Sequence, residues 1–293
     1  MKIRIGVGAA GAASSPDGLA ELVTGLDDLG FDSLWLSEVL TGPVIDPMVG
    51  LAWAAASNPR LKVGTTMLLP GRNVIRLAKQ LASLDVLCRG RLLVTLVPGL
   101  TYAPEREAIG VEPKRRGAVI DEALPLLRRL WAGETVSHEG VAGSFRDVKL
   151  SPLPAQQPLE VWLGGTAPAA LERCGQLSDG WLPSQCTPEE AAAGRVVIEE
   201  VAAKAGRSIS SEHFGMSIGY ARAPIDPAMA RTMTARRPRS VELTPVGLPA
   251  LRQTIERFIA VGFSKFVVRP IVPPASWRAE LEALAAAVGD LQT

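Results

Sequence analysis

Residues 61–97 read LKVGTTMLLPGRNVIRLAKQLASLDVLCRGRLLVTLV, and their pattern decides the fold. Leu61–Thr66 is a short apolar, β-branched run that predicts a strand. Asn73 is a residue type that caps a helix, and Leu77, Leu81, Leu84 and Leu87 recur at helical spacing as one inward stripe. Gly90 ends the helix, and Arg91–Val97 is the next strand. The same strand–helix unit repeats outward in both directions. Toward the N-terminus, Lys2–Gly8 and Ser33–Ser37 read as strands. Ser15-Pro16 opens a helix with Leu19, Leu22, Val23, Leu26 and Leu29 on one face, stopped at Gly30. Asp46–Ser57 is a second, strongly apolar helix.

Toward the C-terminus, Arg115–Trp131 carries Ile120, Leu124, Leu127 and Leu130 at helical spacing, with Pro125 predicting a kink or a split. Strands follow at Leu159–Leu163, Asp179–Leu182, His213–Tyr220 and Ser264–Arg269. Between and after them lie helices beginning near Thr166-Ala167-Pro168, Thr187-Pro188-Glu189-Glu190, Val246 and Ser276. Eight strand–helix units in 293 residues predict a (β/α)₈ TIM barrel spanning residues 1–293 as one domain. Residues 134–153 read as a hairpin or loop insertion. Residues 222–244, after the seventh strand, read as a lid or substrate loop. The rival is an open dinucleotide-binding sheet. Gly6, Gly8 and Gly11 spell GVGAAG, a formal fingerprint, and Glu38 ends the second strand.

Composition narrows the function. A formal net charge of +1 offers no electrostatic footprint for nucleic acid or a membrane surface. No apolar run reaches the ~18 residues of a membrane helix. Cys88, Cys174 and Cys186 form neither a metal cluster nor an even disulfide set, which suits a reducing cytoplasm. With two histidines, His138 and His213, read as structural, no metal site is expected.

In a barrel the chemistry sits at the C-terminal ends of the strands. Those ends carry Ala9-Ala10, Glu38-Val39, Thr66-Met67, Val97-Pro98-Gly99-Leu100, Gly164-Gly165-Thr166, Ser184-Gln185, Tyr220 and Arg269. Small and apolar residues dominate. Such a set suits a flat organic cofactor lying on backbone, with its phosphate at a helix N-terminus beside Gly164-Gly165 and a capping Thr166.

Several stretches resemble the luciferase-like monooxygenase superfamily, the bacterial-luciferase-type flavin enzymes and their coenzyme F420-dependent relatives. They are Leu29–Trp35, Val63–Thr66, Leu77–Asp85 with Gly90-Arg91-Leu92, Arg116 with Asp121-Glu122, Leu130–Gly133, Pro152–Gln156, Trp162–Gly165 and Asp179–Pro183. The resemblance implies a (β/α)₈ barrel, usually a homodimer, that holds F420 or FMN and acts on a small organic substrate. An excess of Arg (24) over Lys (7), with abundant Ala, tilts the cofactor toward F420.

The resemblance also assigns the site. Thr66, Met67, Val97 and Gly99 are expected against the cofactor, with a bulge and a cis peptide at Thr66-Met67. Gly164, Gly165 and Thr166 are expected at its phosphate. Where many members carry an acidic residue followed by His, this chain has Glu38-Val39, so Glu38 is the expected catalytic and cofactor-facing group. The turn Val97-Pro98-Gly99 replaces the family's smaller one, and Leu100 stands where the F420 branch often has Glu. Arg269 and Tyr102 are substrate or anion candidates. Arg222, Arg231, Arg236, Arg237 and Arg239 either clamp a polyanionic tail or form a solvated basic loop. The expected activity is hydride transfer between F420 or FMN and the substrate. The alternative is a catalytically depleted barrel that binds a ligand or a partner. Surplus apolar residues on the second and third helices, Met48, Val49, Leu51, Trp53, Leu77, Leu81, Leu84 and Leu87, point to a two-fold dimer.

Overall fold

Alternating strands and amphipathic helices bury their apolar faces by wrapping one layer around the other. The computed structural model describes residues 1–9 and 15–293. The strands are β1 (Arg4–Gly8), β2 (Ser33–Ser37), β3 (Lys62–Leu68), β4 (Leu92–Val97), β5 (Thr135–Gly140), β6 (Gly143–Lys149), β7 (Val161–Leu163), β8 (Gly180–Trp181), β9 (Gly215–Tyr220) and β10 (Lys265–Pro270). The helices are α1 (Pro16–Asp28), α2 (Pro47–Ser57), α3 (Val74–Leu87), α4 (Ala103–Ile109), α5 (Pro113–Trp131), α6 (Pro168–Leu177), α7 (Pro188–Lys204), α8 (Pro227–Arg236), α9 (Leu248–Ala260) and α10 (Trp277–Val288).

Eight parallel strands run in the order β8-β7-β4-β3-β2-β1-β10-β9. The two edges meet through bridges at Trp181–Phe214 and Ser184–Ser217, which nearly closes the barrel. The open-sheet reading falls with that closure. Gly6 and Gly8 lie within β1, whereas Ala10 and Gly11 lie outside the described residues. The antiparallel pair β5–β6 forms the hairpin read at 134–153.

Local signals act as the sequence indicates. Ser15 Oγ accepts from Gly18 N (3.1 Å), and Asn73 Oδ1 accepts from Arg76 N (3.0 Å). Thr187 and Glu190 form a reciprocal capping box. Other signals are overruled. Pro125 does not split α5, because Val119, Ile120, Ala123, Leu126, Leu127 and Leu130 bury both halves against the barrel. Leu87 is exposed rather than inward. The seven-residue α4 escaped periodicity because it is too short to show a repeat. The 222–244 insertion contains a helix, α8. The expected bulge and cis peptide at Thr66-Met67 are absent. The bond is trans, and β3 keeps regular register with β2 through Ser37–Thr66 and with β4 through Leu68–Val97.

Two indoles fill the barrel. Trp35 packs with Leu182, Val267, Leu93 and Trp162 as an inner cluster, separate from the main core between sheet and helices. This packing needs glycine on neighbouring strands. A Cβ on Gly64 would stand 2.4 Å from Trp35, and one on Gly180 would stand 2.4 Å from Trp162. Below the indoles, at the strand starts, Asp32 lies between Lys62 (2.8 Å) and Lys265, and Lys265 Nζ also donates to Ser33 Oγ (3.2 Å). The Lys265 side chain is 6% exposed and that of Asp32 is 11% exposed.

Burial by itself would raise the Asp32 carboxyl, but Lys265 and Lys62 outweigh it and hold it well below the usual carboxylate range. Replacing Asp32 by Asn leaves the Lys265 ammonium buried without its anion. The expected cost is about 3–5 kcal/mol, read from chemical denaturation. The double change Asp32→Asn/Lys265→Met recovers most of it. The carboxylate's contribution to stability is complete above the unfolded value near ~4 and is lost as pH falls toward the depressed folded value. Asp32→Asn should therefore flatten the acid limb of the stability–pH curve.

Candidate functional site at the carboxyl end of the barrel

Alternate strand residues face the barrel interior. Above the indoles this rule brings Gly8, Ser37, Thr66, Thr95, Val97, Gly164, Ser217, Gly219 and Arg269 to the mouth. Register lines up three hydroxyl residues across adjacent strands: Ser37 opposite Thr66, and Thr66 opposite Thr95. Thr95 Oγ1 is buried and has no partner among the described residues, as does Gln185 Oε1 at the rim. Gln185 also holds a left-handed backbone (φ 63°), a strained conformation for a residue with a side chain. The result is a shallow basin of small and hydroxylated residues with an indole floor.

The carboxylate of Glu38 is engaged on both oxygens. Oε2 accepts from Leu68 N (2.8 Å), and Oε1 accepts from Arg72 Nη2 (2.5 Å). Its side chain is 5% exposed. Arg72 Nε in turn donates to Leu68 O (2.9 Å), so the pair brackets the end of β3. Thr66 faces the basin. Met67, one residue on, turns into the main core under the helices and offers the basin only its backbone. Val97 meets Gly164 across the mouth, since a Cβ on Gly164 would lie 2.9 Å from Val97 Cγ1. Gly99 requires its left-handed backbone (φ 84°), and a Cβ there would lie 2.5 Å from Ile109. The loop around it is held by the buried Arg116, whose Nη1 donates to Leu100 O (2.7 Å) and Pro98 O (3.2 Å).

Thr166 is not the helix cap. Ala167 occupies that position, with no side-chain capping bond, and Thr166 is exposed. The chain turns through Gly165 (φ 101°) and extends one residue further before α6 begins, which carries the hydroxyl past capping range. Gly165 O accepts from Trp181 Nε1 (2.9 Å). Beside this turn a cavity of about 180 Å³ is lined by Thr166, Trp181, Gln185, Cys186, Glu190 and Arg239 among others.

The 222–244 insertion reaches across the rim. Arg236 stacks over the Tyr102 ring after β4 (5.7 Å), and Arg237 Nη1 donates to Ser184 Oγ after β8 (2.6 Å). Arg239 pairs with Glu190 (2.7 Å), and Arg222 pairs with Glu280 (2.9 Å). A second cavity, about 190 Å³, opens at the opposite end among Arg4, Lys62, Glu160, Glu212, His213 and Lys265. Its charges are largely matched internally, Arg4 with Glu212 (2.7 Å) and both lysines with Asp32. The indoles separate it from the mouth. We therefore place the candidate site at the mouth.

Of the residues named from the sequence, Thr66, Val97, Gly164 and Arg269 converge on the basin. Gly165, Thr166 and Tyr102 stand on its rim, and Glu38 and Met67 lie behind it. Ser37, Thr95 and the Arg72 partner of Glu38 went unrecognised. The signal for the first two was a small polar residue near the end of each early strand, but only register aligns them.

Known proteins bear on this arrangement. An F420-dependent glucose-6-phosphate dehydrogenase of Kineococcus radiotolerans is 28% identical over 191 residues, covering 61% of this chain and 56% of that one. A limonene 1,2-monooxygenase of Rhodococcus erythropolis is 29% identical over 205 residues, 67% of this chain and 53% of that one. The match thus spans little more than half the length of these relatives. Among solved structures, an F420-dependent secondary alcohol dehydrogenase in complex with an F420–acetone adduct superposes with a TM-score of 0.83 at 18% identity, covering 100% of both chains. A family model described as luciferase-like monooxygenase matches residues 1–242. With most of its barrel inside that match, the chain belongs to the luciferase-like monooxygenase family, a family of oxidoreductases.

Proposed function

We propose that this chain is an F420-dependent oxidoreductase, with FMN as the alternative cofactor, that moves a hydride to or from a small organic substrate held under the 222–244 lid. The observation that carries the reading is the basin itself: small, hydroxylated, floored by indoles, and bordered by a Gly-Gly turn. Two relatives whose names pair F420 or oxygenation with this family support it. Either cofactor, when bound, supplies the hydride-carrying ring.

The residues present fit such a group. Ser37, Thr66 and the unpartnered Thr95 hydroxyl offer hydrogen bonds to the polar edge of a flat ring. The unpartnered Gln185 Oε1 accepts from a hydroxyl such as those of a ribityl chain. Gly164-Gly165 lets backbone approach a phosphate, and the Thr166 hydroxyl is exposed beside it. The Trp35–Trp162 layer closes the basin from below and keeps water from that side. Val39 has no proton to give, and Glu38 holds Leu68 and Arg72. Glu38 is thus a positioning residue, and proton transfer falls to Tyr102, water or the substrate.

The surplus apolar surface is concentrated on adjacent helices. Val49 (67% exposed) and Trp53 lie on α2, and Val86 and Leu87 (68% exposed) lie on α3. We assign this surface to a homodimer. A cytoplasmic home accords with three free buried cysteines, of which the Cys174 and Cys186 thiols are pushed up to about 12 by burial.

Three measurements test this reading. Fluorescence titration with F420 and FMN should show saturable binding of one of them, and Thr166→Ala should weaken it several-fold while leaving Tm unchanged. Binding of neither would favour the catalytically depleted barrel. Glu38→Gln keeps an acceptor for Leu68 N. It should lower kcat less than tenfold without altering the pH profile, whereas a ~10²–10⁴-fold loss would make Glu38 the proton-transfer group. Light scattering should give a dimer that Trp53→Lys/Leu87→Glu converts to a folded monomer.

A further inference from the structure

Four arginines of the described chain are held below the ordinary guanidinium range chiefly by burial: Arg116, Arg207, Arg237 and Arg269. They differ in what satisfies them. Arg116 donates to the carbonyls of Val111, Pro98 and Leu100. Arg207 donates to the carbonyls of Gly175 and Ser178 and lies 3.9 Å from Asp179. Arg237 has Ser184 Oγ alone, a neutral acceptor. The Arg269 side chain has no hydrogen bond and no carboxylate within ion-pair distance among the described residues. Arg116 leaves its buried Nη2 without a partner but is tied to three carbonyls, whereas the side chains of Arg237 and Arg269, the two at the mouth, have neither a carbonyl nor a carboxylate partner among the described residues, and the charge on Arg237 bears on Arg269.

The barrel makes room for Arg269. Its strand neighbours on both sides are glycines. A Cβ on Gly8 would stand 3.2 Å from Arg269 Cβ and 3.4 Å from its Cγ and Cδ, and one on Gly219 would stand 3.7 Å from Nη2. The side chain therefore lies along the inner wall between β1 and β9. Arg237 comes from the other side, on the lid segment after α8, although the residue as a whole remains exposed. Arg237 Nη1 donates to Ser184 Oγ, and Ser184 bridges to Ser217 on β9, the strand that flanks Arg269, so both side chains reach the same stretch of the mouth with no anion beside either among the described residues, an arrangement that an anion completes. Paired guanidinium forks match the oxygens of phosphate or carboxylate.

We propose that Arg237 and Arg269 form an oxyanion site at the barrel mouth, where a phosphate or carboxylate group bridges the lid to β10. The group belongs either to the substrate or to the acidic end of the cofactor. The site rests on the mouth being the functional end, and it is testable without cofactor. Inorganic phosphate should raise the Tm of the cofactor-free protein at constant ionic strength. Arg237→Gln, an exposed change that leaves the core intact, should weaken that protection by about ten- to a hundredfold in phosphate concentration, and Arg269→Met should do the same. Equal protection of wild type and Arg237→Gln, or no phosphate-dependent shift in wild type, overturns the site. Binding of FMN and of riboflavin, which lacks the phosphate, then separates the sources. If Arg237→Gln weakens FMN but not riboflavin, the anion is the cofactor's. If it weakens neither while abolishing phosphate protection, the anion is the substrate's. Loss of cofactor binding in wild type would defeat the proposed function and leave the phosphate result to stand or fall by itself.

Discussion

The interior of this barrel depends on two indoles packed against glycine. Trp35 and Trp162 occupy the space that eight strands enclose, and Gly6, Gly64 and Gly180 on neighbouring strands yield it to them. Interiors at near-crystalline density do not tolerate a further carbon at 2.4 Å. The indole layer thus fixes where cavities form. Below it lies a well whose charges neutralise one another around Asp32. Above it lies a basin that the protein itself leaves incomplete. The division of labour common to such barrels, stability at the strand starts and chemistry at the strand ends, here follows from which charges have partners.

That contrast also sorts the polar residues. Glu38, Glu105 and Asp85 all bear carboxylates in buried surroundings, and all three are saturated. Glu38 binds Leu68 N and Arg72, Glu105 binds Thr41 N and Oγ1 (2.8 and 2.5 Å), and Asp85 binds the Gln156 backbone and side chain (2.8 and 2.7 Å). Each ties one loop or strand end to another. Glu38 and Glu105 hold the rim still, while Asp85, through Gln156 at the start of β4, ties down the opposite end of the barrel. The groups left open at the mouth are hydroxyls, one amide oxygen and two guanidiniums. Such a set fits the proposed reading, in which a bound cofactor brings the reactivity and the protein orients it.

Much of this was legible in the sequence, for identifiable reasons. The strand–helix alternation, the caps at Ser15, Asn73 and Thr187, the 134–153 hairpin and the family resemblance all rest on local rules. Cap chemistry, helical spacing and turn residues act within a few positions, so a linear reading finds them. The stretch at 61–97 held its assignment almost residue for residue, with β3 running two residues further to Leu68 because β4 pairs with it that far. The chemistry of strand ends was legible as composition: small, apolar, poor in acid and base.

What the linear reading missed depends on partners distant in sequence. The alignment of Ser37, Thr66 and Thr95 exists only in the register of three strands. The saturation of Glu38 depends on Arg72, 34 positions away. Thr166 missed its cap by one residue, because a left-handed glycine shifted the start of α6. Pro125 failed to break α5, because burial of both halves outweighed one lost backbone bond. Among five arginines of similar surroundings in the insertion, ion pairs with Glu190 and Glu280 satisfied two and left Arg237 facing the mouth. The sequence by itself determined the barrel, its family and the kind of residue at its working end. The tertiary structure decided which of those residues are spent on holding the rim and which remain open to a ligand, because satisfaction of charge and hydrogen bonds is a property of neighbours in space.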